Sequence, residues 1–342
     1  MTPEGLTGSW LSSVLDCDVS VAGSSRIGDG LVGMNIRLEI RGDGSLPSSL
    51  IAKLPSPDPA SRTTGIALRN YEREVCFYEQ VAPTVDIRVA RCYHAEWHPE
   101  TGDFVLLMED LAPAVPGDQV TGCDAVQARI AVLELAKLHG PRWGDPALHE
   151  LEWLGRRTAA DAQQLAMLWA MFVPGFMNTF GGYLSAEAVD VIQRFGQQIA
   201  CWVDGRDAAK TVTHGDYRLD NLMFAGPDGG VEIAAVDWQT PAHGSGITDV
   251  SYFLGAGLLP PRRREVEREL VDQYGQALAG YGVAVDADDL WCGYRRDAYA
   301  GVVMSVIASQ IVGSSHRSEA MFAAMATRHA QHVVDLESES LL

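Results

Sequence analysis

The feature that most constrains this chain is a polar string, His214-Gly215-Asp216-Tyr217-Arg218-Leu219-Asp220-Asn221, set in front of a turn. Two short apolar runs, residues 222–224 and 231–236, flank a segment rich in Gly, Pro and Asp, which predicts two strands joined by a turn. Asp237 follows the second run, sixteen residues after Asn221. The string and the hairpin therefore bring together two carboxylates and an amide, those of Asp216, Asp237 and Asn221.

These three side chains fit the requirements of phosphoryl transfer. One Asp can orient an attacking hydroxyl and accept its proton, while an Asn and a second Asp can hold Mg²⁺ on nucleotide phosphates, because Mg²⁺ prefers hard oxygen ligands. The asparagine five residues after Asp216 reproduces the D-x-x-x-x-N spacing of a kinase catalytic loop. Any one of these residues could instead belong to an ordinary turn or cap. The whole string with Asp237 behind it favours a kinase site.

The strings His214-Gly215-Asp216 and Val236-Asp237-Trp238 resemble motifs of the aminoglycoside phosphotransferase and choline kinase-like family. Members of this family are small-molecule kinases with the two-lobed fold of protein kinases. Protein kinases usually have Arg in place of Gly215 and Phe-Gly in place of Trp238-Gln239, and no A-P-E sequence follows here. A protein substrate is therefore disfavoured. The run Asp249-Val250-Ser251-Tyr252-Phe253-Leu254 brings the resemblance nearest to the ecdysteroid kinase-like branch.

The resemblance implies further parts of a nucleotide site in the first hundred residues. Gly28, Gly30 and Gly33 form a G-x-G-x-x-G string that leads into a strand-like run, as in the loop that covers the phosphates in kinases. A flexible hairpin is the alternative, because such strings often arise by chance. Lys53 ends an apolar strand-like run and matches the lysine that contacts the α- and β-phosphates.

Two glutamates, Glu72 and Glu74, lie on the first predicted helix and could hold Lys53 in position. They are two residues apart on a helix and so face different ways, which means that at most one can be directed at Lys53. The family-like pattern Arg-Glu-x-x-Phe-Tyr favours Glu74.

The run Met108-Glu109-Asp110-Leu111 ends an apolar strand where the two lobes should join. It looks like the hinge that offers backbone hydrogen bonds to adenine, and an edge strand with a turn is the alternative. Taken together, the resemblance implies ATP bound between the lobes, Asp216 as the catalytic base, and Asn221 and Asp237 as ligands of Mg²⁺. It also matches Asp249 with an aspartate that opens a helix and braces the catalytic loop.

The spacing of apolar residues along the rest of the chain, together with the resemblance, predicts an α+β protein with the two-lobed, protein-kinase-like fold. Residues 1–110 form the predicted nucleotide-binding lobe, with strands near residues 19–21, 34–40, 50–54 and 104–108 and a helix at 66–81. Residues 111–342 form the predicted catalytic and substrate-binding lobe, into which the hairpin is inserted. Its long amphipathic helices are expected at 123–139, 158–172, 185–203, 262–280 and 288–312.

Composition narrows the possible partners and location. A formal net charge of −19 argues against nucleic acid or an anionic membrane surface as a partner. The six cysteines include no C-x-x-C pair, which argues against a zinc site or a disulfide framework and fits a reducing, cytoplasmic location. The longest apolar stretch noted in the sequence, around residues 302–312, is too short to span a bilayer, so we expect no membrane insertion.

The sequence therefore predicts a phosphotransferase that moves the γ-phosphate of Mg-ATP to a hydroxyl of a small molecule. Aminoglycosides, choline-like amines, sugars and lipophilic alcohols all remain open as acceptors. The alternatives are a nucleotide-binding pseudokinase and a regulatory protein kinase.

Overall fold

The computed structural model describes residues 1–28, 32–42, 44, 46–156, 159–204, 209–312 and 315–342. The chain divides into two compact units, one built on an antiparallel sheet and one mainly helical, which confirms the expected α+β class. The first unit consists of Met1–Thr84, Arg88–Val115 and Ala225–Thr240, and the second of Val85–Ile87, Pro116–Phe224 and Pro241–Leu342.

Each unit is thus assembled from separate segments of chain, whereas the sequence analysis placed one boundary between residues 110 and 111. The segment that carries Asp237 is part of the first unit. The functional division at residues 110–111 stays a prediction.

The sheet of the first unit runs in the order β1-β2-β3-β5-β4, and each neighbouring pair is antiparallel. The central strand β3 is buried along nearly its whole length, which explains why its sequence is apolar except for Ser49 and Lys53. Strand β4 lies at the sheet edge and is half-buried, and its mixture of His, Glu and Trp gave no strand signal in the sequence. The strands are β1 (Ser20–Ile27), β2 (Gly33–Arg41), β3 (Ser49–Pro55), β4 (Cys92–His98) and β5 (Asp103–Glu109), and helix α1 (Gly8–Leu15) precedes them.

The helix expected over residues 66–81 is interrupted. Helix α2 (Pro59–Ala67) ends just before Arg69, whose backbone adopts a left-handed conformation with φ of 58°. Helix α3 (Asn70–Cys76) begins after this break and continues into a turn of π-helix, Phe77–Val81. A left-handed residue ends one helix and lets the next take its own direction. Side-chain periodicity does not reveal such a break at an arginine.

The second unit is mainly helical. The helices expected at 123–139 and 262–280 are confirmed as α4 (Ala125–His139) and α9 (Pro260–Ala279), and those expected at 185–203 and 288–312 are each divided in two. The final helix of the unit was missed, although a capping box at Ser315 and Ser318 marks its start. Further helices are α5 (Ala159–Phe180), α6 (Ala186–Phe195), α7 (Ile199–Asp204), α8 (Gly246–Gly257), α10 (Ala287–Asp297), α11 (Tyr299–Ile311) and α12 (His316–Asp335).

Short strands complete the fold. A small sheet in the order β7-β11-β8 lies in the second unit, and β8 leads directly into His214. The two strands expected around the Gly-rich turn at residues 225–230 are confirmed as β9 and β10. The short strands are β6 (Val115–Pro116), β7 (Gly155–Arg156), β8 (Thr211–Thr213), β9 (Leu222–Gly226), β10 (Gly229–Ala235) and β11 (Ala242–Gly244).

One segment of the described chain, Ala160–Tyr183, is long and apolar enough to cross a membrane by length and composition. It has 24 residues, and an 18-residue stretch within it has a mean hydropathy of 1.2 and is 17% buried. The expectation that no apolar segment is long enough was therefore wrong, because residues 160–183 form a longer apolar segment in which Asp161 is the one charged residue. A single such helix is weak evidence of a membrane span, and the absence of membrane insertion stays a prediction.

Helices α9, α10 and α12 enclose a group of buried polar side chains. The Tyr294 hydroxyl donates to Oε2 of Glu267 at 2.8 Å and lies 2.9 Å from Nε2 of His332. Arg263, which is also fully buried, pairs with Glu267 and Asp335. Burial lowers the pKa of His332 to about 4, although the Glu267 carboxylate favours the protonated ring. The His332 ring is therefore neutral near pH 7.

We predict that His332 makes the protein lose stability in acid. The unfolded chain binds a proton at His332 near pH 6.5, whereas the folded protein does so only near pH 4. The free energy of unfolding should therefore fall as the pH decreases through this window, by up to about 3 kcal/mol from this group. Urea unfolding measured across the window checks this.

The variant His332→Gln should make the fall in stability smaller. The control His98→Gln changes a histidine whose side chain is 56% exposed and should leave the fall unchanged. If His332→Gln and the wild type lose the same stability between these pH values, His332 is not the group responsible.

Candidate active site

Lys53 is the charged residue of the buried, otherwise apolar strand β3. Its side chain is 7% exposed, and its Nζ lies 2.7 Å from Oε1 of Glu74 and 2.7 Å from Oδ1 of Asp237. Burial alone would lower the pKa of Lys53, but the carboxylates of Asp237 and Glu74 outweigh burial and raise it. The ammonium group is therefore a fixed positive charge within the first unit.

The contact with Lys53 is made by Glu74, as the sequence favoured. Glu72 instead pairs with Arg69, whose Nε and Nη2 donate to its two carboxylate oxygens at 2.6 and 2.7 Å. Glu74 is buried on α3, and burial raises its pKa while the Lys53 ammonium opposes that shift. The expectation that the two glutamates face different ways is confirmed.

Asp237 lies in the segment after β10, and the neighbouring Trp238 fixes the backbone there. Its backbone has a φ of 66°, a left-handed conformation that Asp tolerates better than most residues. The ring of Trp238 stacks on Phe77, with centroids 3.7 Å apart and planes within 5° of parallel. Since Phe77 directly follows α3, this stacking ties the Asp237 backbone to the helix that carries Glu74. The Asp237 side chain is 38% exposed, so its carboxylate also reaches solvent.

Gly28 directly follows β1 and Gly33 is the first residue of β2, so a strand follows the glycine string as expected. Gly28 has a φ of 67°, in the left-handed region that glycine adopts without strain. Gly33 packs closely on β3: a Cβ atom there would lie 3.3 Å from the Leu54 carbonyl oxygen and 3.4 Å from Cε of Lys53. Gly30 lies outside the described residues. Contact of these glycines with phosphates stays a prediction.

The predicted hinge residues lie at the end of β5. Met108 and Leu111 are buried. Oε1 and Oε2 of Glu109 accept hydrogen bonds from Nη2 of Arg88 at 2.6 and 2.8 Å, and Asp110 pairs with Arg37 at 2.7 Å. The two acidic side chains are thus committed to ion pairs within the first unit. Contact of this run with adenine through the main chain stays a prediction.

The string from His214 to Asn221 is held by Asp249, which lies in the first turn of α8 as expected. The backbone N–H groups of His214 and Gly215 donate to its Oδ2 and Oδ1 at 2.6 and 3.1 Å. Nε2 of His139 lies 3.3 Å from the same Oδ2. Gly215 has a φ of 81°, which suits glycine at this turn. The proposed bracing role of Asp249 is confirmed by these contacts.

The Asp216 carboxylate is 23% exposed and receives three side-chain hydrogen bonds. The Tyr252 hydroxyl donates to Oδ1 at 2.7 Å. Nε of Arg218 and Nδ2 of Asn221 donate to Oδ2 at 3.1 and 2.9 Å. The carboxylate is therefore fixed in orientation and still reaches solvent, as a general base must.

Asn221 is buried and is oriented by Asp216. Its Nδ2 donates to both the main-chain oxygen and Oδ2 of Asp216, each at 2.9 Å. Both amide hydrogens of Asn221 are donated to Asp216, so its amide oxygen is the atom that can bind a cation. Among the described residues, no group of three or more His, Cys, Asp and Glu could hold a metal ion. An amide and a carboxylate oxygen nevertheless fit Mg²⁺, which commonly takes few protein ligands and completes its shell with phosphate oxygens and water.

Arg218 is tied to carboxylates. In addition to Asp216, it donates through Nη1 to Oδ2 of Asp220 at 2.5 Å. Burial would lower its pKa, but the neighbouring acidic groups raise it. Arg317, at the start of α12, contacts Oδ1 of Asp220 at 3.0 Å. The contacts of Arg218 thus show a residue that pairs with carboxylates of its own loop.

Sequence reasoning missed Tyr252. Its hydroxyl contacts Asp216, although it lies 36 residues further along the chain. A signal was available: Tyr252 follows Asp249 by three residues on a helix, so both side chains face the same side. Because Asp249 was expected to contact the catalytic loop, Tyr252 could have been placed beside it.

The fold is that of kinase-like phosphotransferases that act on small molecules. The chain is similar to APH(2")-IIIa solved with GDP and kanamycin, with 13% identity, a TM-score of 0.55 and 97% of each chain covered. It is also similar to choline kinase from Cryptosporidium parvum, with 10% identity, a TM-score of 0.55, and 93% of this chain and 89% of that one covered. Plasmodium vivax ethanolamine kinase is another such structure, with 11% identity, a TM-score of 0.53, and 96% and 86% covered.

The family comparison points to the same group. The sequence profile of the ecdysteroid kinase-like family matches residues 170–282, a stretch that contains Asp216, Asn221, Asp237 and Asp249. No curated protein matches the chain at a significant level of sequence similarity. The resemblance to aminoglycoside phosphotransferases and choline kinase-like proteins, and to the ecdysteroid kinase-like family, is confirmed.

We predict that Glu74 contributes more to stability than Glu72. Glu74→Gln removes a buried charge that faces the Lys53 ammonium and should lower the free energy of unfolding by about 1–3 kcal/mol. The matched control Glu72→Gln breaks a partly exposed pair with Arg69 and should cost less than about 1 kcal/mol. Urea unfolding of the three proteins measures the difference. Equal losses in the two variants would contradict the assignment.

Proposed function

We propose that the protein is a kinase that transfers the γ-phosphoryl group of ATP to a hydroxyl of a small molecule. The observation that carries the proposal is the environment of Lys53. This lysine is buried, and its Nζ is 2.7 Å from carboxylates that are 21 and 184 positions away in the chain. The kinase-like motifs select these three residues independently, and a kinase requires such a lysine to be charged and fixed beside the phosphates.

In this proposal the first unit binds the nucleotide. Lys53, oriented by Glu74, neutralises charge on the α- and β-phosphates. Gly28, Gly30 and Gly33 allow backbone N–H groups to approach the phosphates, and residues 108–111 contact adenine through the main chain. Several structural neighbours were solved with nucleotide, such as APH(2")-IIIa with GDP and APH(2'')-Ib with ADP, which supports a nucleotide ligand here.

Asp216 acts as the general base. Its carboxylate orients the acceptor hydroxyl and takes its proton as the hydroxyl oxygen bonds to the γ-phosphorus. The bond from that phosphorus to the β–γ bridging oxygen breaks, ADP leaves with the bond's electron pair, and Asp216 later releases the proton to solvent. Most of the rate acceleration then comes from positioning and charge neutralisation.

Mg²⁺ is the proposed metal, held by Asn221 and Asp237 together with the phosphates. When bound, it would neutralise charge that develops on the β- and γ-phosphate oxygens. The chain's own contribution is to fix the two oxygen donors. Asn221 does so through its hydrogen bonds to Asp216, and Asp237 through its contact with Lys53.

The acceptor is proposed as an alcohol of the aminoglycoside, amino alcohol, sugar or lipophilic class. The neighbouring structures include complexes with kanamycin and gentamicin and enzymes named as choline and ethanolamine kinases, which supports a small molecule over a protein. The pseudokinase alternative is not favoured, because every charged position that the chemistry requires is filled. We propose a cytoplasmic location on the cysteine pattern alone.

We predict that Asp216→Asn lowers turnover by about 10² to 10⁴, because the amide cannot accept the hydroxyl proton. The affinity for Mg-ATP should stay near that of the wild type. The assay is transfer of labelled γ-phosphate to a panel of aminoglycosides, choline-type amines, sugars and lipophilic alcohols. The control Asp228→Asn, in the exposed turn between β9 and β10, should behave as the wild type. Unchanged turnover in Asp216→Asn would remove Asp216 from the mechanism.

We predict that Lys53→Met weakens ATP binding roughly 10- to 150-fold, because one charge-assisted contact to phosphate is worth about 1.5–3 kcal/mol. The control Lys137→Met removes a half-exposed lysine of α4 that pairs with Glu134 and should leave the affinity unchanged. Calorimetric titration with ATP measures both. Wild-type affinity in Lys53→Met would place the nucleotide elsewhere.

A further inference from the structure

The two oxygens of the Asp216 carboxylate differ in their surroundings. Oδ2 accepts two hydrogen bonds, from Nε of Arg218 and Nδ2 of Asn221. Oδ1 accepts one, from the Tyr252 hydroxyl at 2.7 Å. A carboxylate oxygen has two lone pairs, so the described donors fill Oδ2 and leave one lone pair on Oδ1.

We propose that Tyr252 is a positioning residue that fixes the Asp216 carboxylate so that Oδ1 receives the proton of the acceptor hydroxyl. The inference rests on the proposed function, since it concerns the base of that reaction. It gives a role to Tyr252, which the family-like run Asp249–Leu254 contains without a function, and it distinguishes the reactive oxygen of Asp216 from the structural one.

Tyr252 is suited to act as a permanent donor. Burial, followed by the nearby Asp216 charge, raises the pKa of Tyr252 well above its usual value, so the phenol stays protonated at neutral pH. The Tyr252 hydroxyl therefore offers its hydrogen to Oδ1 and does not compete for the proton of the acceptor.

The position of the Tyr252 ring is set by His329 on α12. The two rings stack with centroids 5.2 Å apart and planes within 16° of parallel. His329 is fully buried, and burial lowers its pKa well below the usual value, so the ring is neutral. The His329 ring fits because Gly255 and Gly301 have no side chains. A Cβ atom on Gly255 would lie 2.7 Å from Nδ1 of His329, and one on Gly301 would overlap the same ring. The stack therefore allows Tyr252 little movement.

The contact matters because the other two donors hold only one side of the carboxylate. Without the Tyr252 hydroxyl, Asp216 is tethered through Oδ2 alone and can turn about its Cβ–Cγ bond, which has a shallow torsional profile. Oδ1 would then spend less time where the acceptor hydroxyl arrives. Turnover should fall, while nucleotide binding, which the proposed function assigns to other residues, should not.

The test compares Tyr252→Phe with the wild type in the phosphate-transfer assay. We expect kcat to fall about 10- to 100-fold, as for loss of one hydrogen bond to a charged group, with KM for Mg-ATP within about twofold. The matched control is Tyr294→Phe, which also removes a buried hydroxyl that donates to a carboxylate, in this case that of Glu267. This control should lose stability but keep the wild-type kcat.

The possible outcomes separate the two proposals. Wild-type kcat in Tyr252→Phe, with Asp216→Asn inactive, would overturn the role of Tyr252 and leave the proposed function standing. An equal loss of kcat in Tyr252→Phe and Tyr294→Phe would also overturn it, because the effect would then be structural. If the wild type transfers phosphate to no acceptor and not to water, the proposed function fails.

A spectroscopic measurement tests the contact between Tyr252 and Asp216 even if the wild type transfers no phosphate. With 3-fluorotyrosine incorporated in place of tyrosine, Asp216→Asn should shift the ¹⁹F resonance of residue 252 and leave that of residue 294 in place. The two resonances are assigned from the Tyr252→Phe and Tyr294→Phe proteins. An unmoved resonance for residue 252 would show that its hydroxyl does not sense the Asp216 carboxylate, and would overturn the inference.

Discussion

The geometry of the candidate catalytic loop depends on the buried carboxylate of Asp249. An ionised carboxylate away from water costs several kcal/mol unless it is hydrogen-bonded, so the chain must place donors around it. The donors are the backbone N–H groups of His214 and Gly215 and the nearby His139 ring. Satisfying Asp249 therefore determines the path of the backbone that leads into Asp216. Tyr252 lies on the same helix as Asp249. This one helix therefore orients the backbone of the loop through Asp249 and the side chain of Asp216 through Tyr252.

In the first unit the buried charge is positive, and the same cost of burial applies to it. Lys53 places an ammonium group in the centre of an apolar sheet, and burial would drive it towards the neutral form. Two carboxylates at 2.7 Å prevent this, one from the helix beside the sheet and one from the segment after β10. Glu74 and Asp237 together raise the pKa of Lys53 and keep the lysine charged. The stack of Trp238 on Phe77 joins the backbone segments that carry these two carboxylates. The charge of Lys53 therefore depends on the packing of the first unit as well as on its two direct contacts.

The sequence predicts those parts of the site that local rules determine. The spacing of Asp216 and Asn221, the strand that carries Lys53 and the choice of Glu74 all follow from motifs and side-chain periodicity. The break at Arg69 and the stack of Tyr252 on His329 do not. A left-handed arginine leaves the apolar pattern unchanged, and the stack depends on space at glycines in helices that are far apart in sequence. Such features arise from tertiary packing, which overrides the local pattern.

The arrangement of charge near Asp216 bears on the choice of acceptor. The net charge of −19 suggests an affinity for cations, yet the acidic side chains around the loop are already paired with arginines. Arg218 pairs with Asp216 and Asp220, and Arg317 pairs with Asp220 and Asp118. Three carboxylates thus share two guanidinium groups, so two of these three negative charges are compensated before any acceptor arrives. A preference for an aminoglycoside or another cationic amine would therefore require acidic groups elsewhere in the second unit, because long-range attraction by surface charge speeds encounter more than it selects among bound ligands.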